Sequence, residues 1–317
     1  MNAHSTWAVM SCFRPDPDVI PHAVAALAQV DGLIVVDDGS GEAHDQTFAE
    51  LEDTGARVIR TPQNLGIAAA LNTGYTAAFG SGATHVISLD QDSALPPMAV
   101  QRLLSAWEHG SREERVGAVV PEYFADVRQA KDEIAPGVWT ARNVIQSGML
   151  LPGEVFADVG GLREDFFIDL VDTEYELRLR SGGYHVLAAP DVRMDHRLGQ
   201  QLERRFLGLR VRLPGIPSVV TVSTPFRYYY RVRNRIVLNR TYRGSHRSQL
   251  RRDTILDVIH FVNVAALARP RRAFWRVLRA GYRAGRTGRM GPMPESVMLD
   301  ARGVTWAAPV ANTSETR

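Results

Sequence analysis

The first two hundred residues predict an α/β protein built on a doubly wound, mostly parallel sheet flanked by helices. Three observations carry this. Short apolar runs of strand character stand at Trp7–Phe13, Leu33–Val36, Arg57–Arg60 and Thr84–Leu89. Stretches with helical apolar spacing, Val19–Val30 and Ile67–Phe79, lie between them. The connections are short and rich in Gly, Pro, Asn and Asp. In such a sheet a ligand sits beyond the carboxyl ends of the strands, and Asp37, Asp38, Asn64, Asp90 and Asp92 all fall there.

Taken in order, the first strand is closed by Pro15 and Pro17. The second runs into Asp37-Asp38-Gly39-Ser40, and the third is followed by Thr61-Pro62-Gln63-Asn64-Leu65-Gly66. The fourth delivers Asp90-Gln91-Asp92. A helix near Pro96–His109 and a strand near Val116–Val120 follow, then a less regular segment, Glu122–Asn143. Val144–Leu151 reads as another strand. The helix Thr173–Ser181 is stopped by Gly182-Gly183. Tyr184–Ala188 reads as a strand, with Asp195-His196 after it.

Composition sets bounds. The 317 residues are 45% hydrophobic and 23% charged, which is ordinary for a globular protein with a sizeable core. Cys12 is the single cysteine and sits in an apolar run, so it is expected as a small core residue in a reducing compartment. The start lacks the basic-then-apolar pattern of a signal peptide. Ile255–Ala268 is the most apolar late stretch, but Asp257, His260 and Asn263 interrupt it, too often for a bilayer span. The net charge of +2 hides a split: residues 1–196 hold 13 Lys and Arg against 29 Asp and Glu, while residues 197–290 hold 22 Arg against 3 acids. That one-sided distribution points to phosphate or an anionic membrane surface.

The Asp-x-Asp at 90–92 is the sharpest local motif. Two carboxylates just after a buried strand suit a hard divalent cation, and many enzymes acting on sugar nucleotides hold one this way, against the diphosphate leaving group. A solvated turn explains the same residues equally well at this point. Neither a Gly-x-Gly-x-x-Gly after the first strand nor a Gly-x-x-x-x-Gly-Lys loop is present, so no glycine-rich loop holds phosphate.

Together, VVDDGS (35–40), NLGIAAALNTG (64–74), LDQDS (89–93), SGMLLP (147–152), FFIDLVDTEYELRLR (166–180), DHRLG (195–199) and YYRVRNRIVL (229–238) resemble family 2 glycosyltransferases of the GT-A fold. The resemblance runs from Trp7 to Tyr242, and its later motifs look most like bacterial dTDP-rhamnosyltransferases. It implies the following roles. Asp37 accepts the N3–H of a uracil or thymine ring, Asp38 braces its loop, and Asn64, Gly66, Asp90 and Gln91 lie near the nucleotide sugar. Asp92 and His196 ligate Mg²⁺ or Mn²⁺. Asp172 is the general base for the acceptor hydroxyl in a single inverting displacement. Val171 stands where the broader family has Glu, and Asp169 is the second choice of base. Asp172 and Asn64 could instead serve as helix-start residues. Glu174 and Glu176 are expected on the helix surface or against the acceptor.

Residues 1–225 are thus expected to form a GT-A catalytic domain, 226–290 a helical, Arg-rich C-terminal extension, and 291–317 a disordered tail. Tyr228–Tyr242 reads as a helix, and the resemblance implies a diphosphate contact in this region, for which Arg233 and Asn234 are the candidates. Arg269–Arg289 mixes arginines with Phe274, Trp275, Val277, Leu278 and Tyr282, the composition of an interfacial helix. A packed helix is the competing reading. The expected donor is dTDP-L-rhamnose, with a UDP-sugar such as UDP-galactofuranose as the alternative. The acceptor is a saccharide or lipid-linked saccharide of cell-surface polysaccharide synthesis. The protein is placed in the cytoplasm, peripheral on the inner face of the cell membrane, and a homo-oligomer is possible. Nucleic acid is not an expected partner, since arginines alone do not explain the strand-end carboxylates. A nucleotidyltransferase lacks support at Ser11–Pro17, and a non-catalytic relative is disfavoured because Asp92 and Asp172 are both present.

Overall fold

The structure is a computed structural model, and it describes residues 4–195, short strand pieces between 200 and 210, and residues 219–307. These divide into two compact units, one of residues 1–167 and 171–197 and the other of 168–170 and 198–317.

The first unit is organised by a ten-stranded sheet. Its strands are β1 (Thr6–Cys12), β2 (Gly32–Asp37), β3 (Arg57–Arg60), β4 (His85–Asp90), β5 (Val116–Phe124), β6 (Val127–Arg128), β7 (Ala130–Ala135), β8 (Val138–Ala141), β9 (Leu150–Pro152) and β10 (His185–Met194). The spatial order is β3-β2-β1-β4-β9-β5-β10-β8-β7, with β6 paired to β5. β3, β2, β1 and β4 are mutually parallel. β9 runs antiparallel between β4 and β5, so β5 and its parallel partner β10 point the same way as the first four. The helices α1 (Val19–Leu27), α2 (Asp45–Asp53), α3 (Ile67–Gly80), α4 (Ala99–Gly110), α5 (Gly153–Val159) and α6 (Val171–Ser181) complete this unit. Leu33–Asp37 of β2 and His85–Leu89 of β4 are buried, and their apolar runs are those of strands covered on both faces.

Two elements differ from expectation. The segment 122–143 is not irregular: β7 and β8 pair as a hairpin at the sheet edge. Lys131, Asp132 and Glu133 make β7 an exposed, charged edge strand, which hides its strand character while blocking edge-to-edge association. Conversely, Val144–Leu151 is strand only from Leu150; the polar Gln146-Ser147-Gly148 forms a buried turn, with Gly148 at φ 84°.

The second unit holds α7 (Arg227–Tyr242), α8 (Arg247–Leu267), α9 (Arg271–Thr287) and α10 (Glu295–Arg302). It begins earlier than residue 226, because Gln200–Glu203 pairs with Val219–Val222 and Leu202, Val220 and Val222 join the same apolar core as Tyr228, Val264 and Phe274. Residues 291–307, expected as disordered, are ordered: α10 is followed by Thr305–Trp306, which pairs with Ala268–Arg269, and Val304 is buried. Residues 308–317 lie outside the described residues.

The helix expected on a membrane, α9, uses its apolar face internally. Ala273, Phe274, Val277, Leu278, Gly281 and Ala284 are buried, and α9 packs along α7. A Cβ on Gly281 would stand 2.5 Å from the Tyr229 carbonyl oxygen, and one on Gly285 would stand 2.9 Å from that of Arg233, so the two glycines allow the close approach. Amphipathic stripes are satisfied by protein when a partner helix fits. No described helix is long and apolar enough to cross a membrane.

Gly281→Ala tests this packing. Helix propensity alone would favour Ala by about 1 kcal/mol. Overpacking against a backbone carbonyl costs about 1–3 kcal/mol, so a net loss is expected, read as a lower urea midpoint. An unchanged or raised midpoint would show that α7 and α9 are not held this closely.

Candidate active site

The carboxyl edge of the parallel strands collects the acidic residues. In the order β2-β1-β4, Cys12 of β1 is in register with Asp37, and Ser11 with Asp90. With strands about 4.8 Å apart, the two aspartate Cα atoms stand roughly 10 Å from each other across β1. Cys12 lies between them, wholly buried, and burial first and the neighbouring Asp37 and Asp90 charges second push its thiol far above the usual range. It is a core residue and not a nucleophile.

Asp37 ends β2 and is 1% exposed. Its Oδ1 accepts the Ser40 N–H at 2.8 Å, and its Oδ2 accepts Arg60 Nε at 3.0 Å; Arg60 also reaches Asp45 at 2.6 Å. Direct acceptance of a pyrimidine N3–H by Asp37 would therefore share a carboxylate already bound on both oxygens. Asp38 accepts the backbone N–H of Leu65 at 2.7 Å on one oxygen and that of Gly66 at 2.9 Å on the other. Burial raises its pKa, and these two donors oppose the rise by favouring the ionised form. Asp38 thereby ties the loop after β2 to the loop after β3.

Gly66 has to be glycine. Its φ is 95°, and a Cβ there would meet the Phe167 carbonyl oxygen at 2.4 Å. The next residue, Ile67, opens α3 and donates its N–H to that same oxygen at 3.0 Å. Asn64, in the same loop, buries an Oδ1 that no described group contacts. A buried acceptor without a donor is unusual and suits a ligand-facing position.

On β4, Asp90 is braced from beside it. Gln146 Nε2 donates to Asp90 Oδ1 at 2.6 Å, and the Asp90 N–H donates to Ser147 Oγ at 3.0 Å. Gln146 is 5% exposed and Ser147 is fully buried. Gln91, expected beside the donor, clips the loop after β1: its Oε1 accepts the Phe13 N–H at 2.8 Å and its carbonyl meets His22 Nδ1 at 3.0 Å. Asp92 is exposed on the turn. Two residues on, Ala94 bridges Asp195, so the described end of the Asp195-His196 motif lies beside the Asp-x-Asp turn. His196 itself lies outside the described residues.

Asp172 lies in the first turn of α6, half-buried, with its Oδ1 accepting the Thr173 N–H at 2.7 Å. The helix starts at Val171, so Asp172 is not its cap. Glu174 and Glu176, expected on the helix surface or against the acceptor, are 3% and 1% exposed, so neither is a surface residue. Glu174 pairs with Arg178 at 2.8 Å, and Glu176 with Arg180 at 3.1 Å and the Asn143 N–H at 2.6 Å. Burial raises the Glu176 pKa, and Arg180 opposes it. Just before α6, Phe167, Asp169 and Leu170 have φ of 65°, 65° and 62°. Such non-glycine backbone costs free energy and gathers at functional sites.

Within the second unit, Asp169 is bound by both arms of Arg227, at 3.1 and 2.8 Å, which leaves it poorly suited as a base. Arg233, expected on diphosphate, is 0% exposed. Its Nε donates to Asn234 Oδ1 at 2.9 Å, its Nη1 donates to the Gly291 carbonyl, and it stacks over Tyr230 at 4.9 Å. Asn234 Nδ2 holds the carbonyls of Ile168 and Asp169. The pair is interior structure, because the α7 face that bears it is covered by α9 and the 291 turn. Gln146, Ser147 and Arg60 were not singled out by sequence reasoning; buried polar residues in an apolar run were the available signal at 146–147.

A mostly parallel sheet flanked by helices, with carboxylates at its strand ends, has the architecture of the GT-A-type fold. Residues 7–162 match the model of glycosyl transferase family 2, which gives this part of the chain a family 2 glycosyltransferase domain. The chain is 27% identical over 248 residues to the dTDP-rhamnosyl transferase RfbF of Shigella flexneri, covering 74% of this chain and 79% of that one. Among solved structures, S. aureus TarS aligns with TM-score 0.55 at 13% identity, over 93% of this chain and 50% of that one. GalNAc-T7 with UDP, GalNAc and Mn²⁺ aligns with TM-score 0.51 at 15% identity, over 74% and 48%. The chain spans about half the length of those two structures.

The loop clamp has a direct test. Asp38→Ala orphans two N–H donors and should cost about 2 kcal/mol or more, measured by urea denaturation. Asp38→Asn, which keeps one acceptor, should lose less. Equal, small losses from both would show that the carboxylate does not hold the 65–66 loop.

Proposed function

We propose that the chain transfers L-rhamnose from dTDP-L-rhamnose to a saccharide or lipid-linked saccharide acceptor, with inversion at the anomeric carbon. The observation that supports this donor most is the 27% identity to a dTDP-rhamnosyl transferase over three-quarters of the chain. The site supports the chemistry. The loops after β2 and β3, joined through Asp38, offer a bed for the nucleoside, with Asp37, Asn64 and Gly66 at its edge.

Among the described residues no group of three or more His, Cys, Asp or Glu side chains is gathered to hold a metal ion. The donor set still fits one. Magnesium and manganese sites of nucleotide enzymes use one or two carboxylates and take their remaining oxygens from phosphate and water. Asp92 is exposed on its turn, and Asp90 is fixed by Gln146. A Mg²⁺ or Mn²⁺ ion on Asp92, with His196 as second ligand, would neutralise charge on the departing diphosphate. Asp90 orients the ribose side of the donor. Asp172 accepts the proton of the acceptor hydroxyl as that oxygen attacks the face opposite the diphosphate. One displacement then suffices, and no covalent intermediate on the protein is required. The reading places the protein at the inner face of the cell membrane, where a lipid-linked acceptor is presented.

A donor panel tests the reading. Thermal stabilisation and slow donor hydrolysis would be followed with dTDP-rhamnose, UDP-galactose, UDP-galactofuranose, UDP-N-acetylglucosamine and GDP-mannose, with metal and then with chelator. Stabilisation by dTDP-rhamnose that needs the metal is expected, and preference for a UDP-sugar would discard the donor. Asp92→Asn should abolish the metal dependence. Asp172→Asn should keep donor stabilisation and lower hydrolysis or transfer by about 10²–10⁴-fold. Activity surviving in Asp172→Asn would move the base elsewhere.

A further inference from the structure

α8 is built with its polarity reversed. On its inner side Asp253 and Asp257 are 7% and 3% exposed. Asp257 pairs with Arg231 at 2.6 Å and with Arg235 at 2.7 Å, both from α7. On its outer side Ile255, Val258, Ile259 and Val262 are 53%, 54%, 54% and 59% exposed. Their spacing of i, i+3, i+4 and i+7 puts them on one face, opposite Asp253 and Asp257. Leu256 adds to one flank at 51%. Four β-branched apolar side chains in a row on an outward face exceed the scattered single apolar residues that need no explanation.

The charges around this stripe are of one sign. Arg247, Arg251 and Arg252 are exposed at its start, and Arg269, Arg271 and Arg272 beyond its end. From 247 to 272 the only acids are Asp253 and Asp257, and both face inward. A second copy of the chain docked face to face on this same stripe would bring arginines against arginines with no carboxylate of α8 to meet them. An anionic lipid surface supplies both what the apolar stripe needs and what the arginines need. The helix is not long and apolar enough to cross the bilayer, and the buried, ion-paired Asp257 holds its inner face to α7.

We propose that the outer face of α8 is the membrane-contacting surface of this protein. It lies in the interface plane, with Ile255, Val258, Ile259 and Val262 in the headgroup–acyl boundary and the arginines on lipid phosphates. The surface deepens the lipid-linked-acceptor reading and rests on it for its purpose, while its chemistry stands apart from the donor site.

The experiment is vesicle co-sedimentation of the full chain, using phosphatidylcholine alone and phosphatidylcholine mixed with phosphatidylglycerol. Binding to the anionic vesicles, weakened by salt, is expected. The double variant Ile259→Glu, Val262→Glu should lower partitioning by about tenfold or more. Arg251→Gln with Arg252→Gln should lower it less and flatten the salt dependence. All four positions are exposed, so thermal stability should stay near that of the unaltered protein. No binding to anionic vesicles, or full binding by the double glutamate variant, overturns the proposal. So does a lipid-free dimer that the glutamate variant converts to monomer. Donor stabilisation measured on the same samples separates the two readings: if it persists without vesicle binding, only the surface fails, and if vesicle binding persists without it, only the donor reading fails.

Discussion

Two hydrogen bonds accepted by one carboxylate organise the site. Asp38 is buried, so its charge is costly, and the Leu65 and Gly66 amides are what make ionisation tolerable there. That exchange fixes the loop after β3 to the loop after β2. It also delivers Gly66 to the Phe167 carbonyl, where only glycine fits. From Phe167 the chain passes through left-handed backbone to Asp172. The start of the segment that leads to Asp172 is thus tied, through backbone contacts, to an aspartate in the loop after β2.

The second unit uses the same economy with opposite charges. The central arginines of α7 do not form a solvated face. Arg231 and Arg235 neutralise Asp257, and Arg233 is enclosed among Tyr230, Asn234 and the Gly291 carbonyl. Breaking a buried pair leaves an uncompensated charge and is more damaging than deleting a surface one. Only Arg233 and Arg235 are buried, and most of the other described arginines, on α8, α9 and the turns beside them, are exposed.

The sequence made the parallel half of the sheet legible because buried strands of that kind are continuous apolar runs between turn residues. β1, β2, β3 and β4 stand within a residue of expectation. It failed where composition and environment part company. β7 is charged because it is an edge, and Gln146-Ser147 sits in an apolar run because it braces Asp90 from inside. Motif positions such as Asp37, Asp90 and Asp92 could be named from spacing. What each carboxylate is bonded to could not, since Arg60 and Gln146 come from other segments. The same gap put Glu174 and Glu176 on the helix surface or against the acceptor, and took Asp257 as a mere interruption of an apolar stretch when it is the anchor that turns the apolar side outward.

Cys12 carries a practical consequence. It is the chain's single thiol, it is wholly buried, and burial together with the flanking aspartates disfavours its thiolate. Alkylating and maleimide reagents act on thiolates that they can reach. The native protein is in effect already a cysteine-free background. A cysteine placed at any exposed position would be the sole reactive thiol, open to a fluorophore or spin label without removing a native residue.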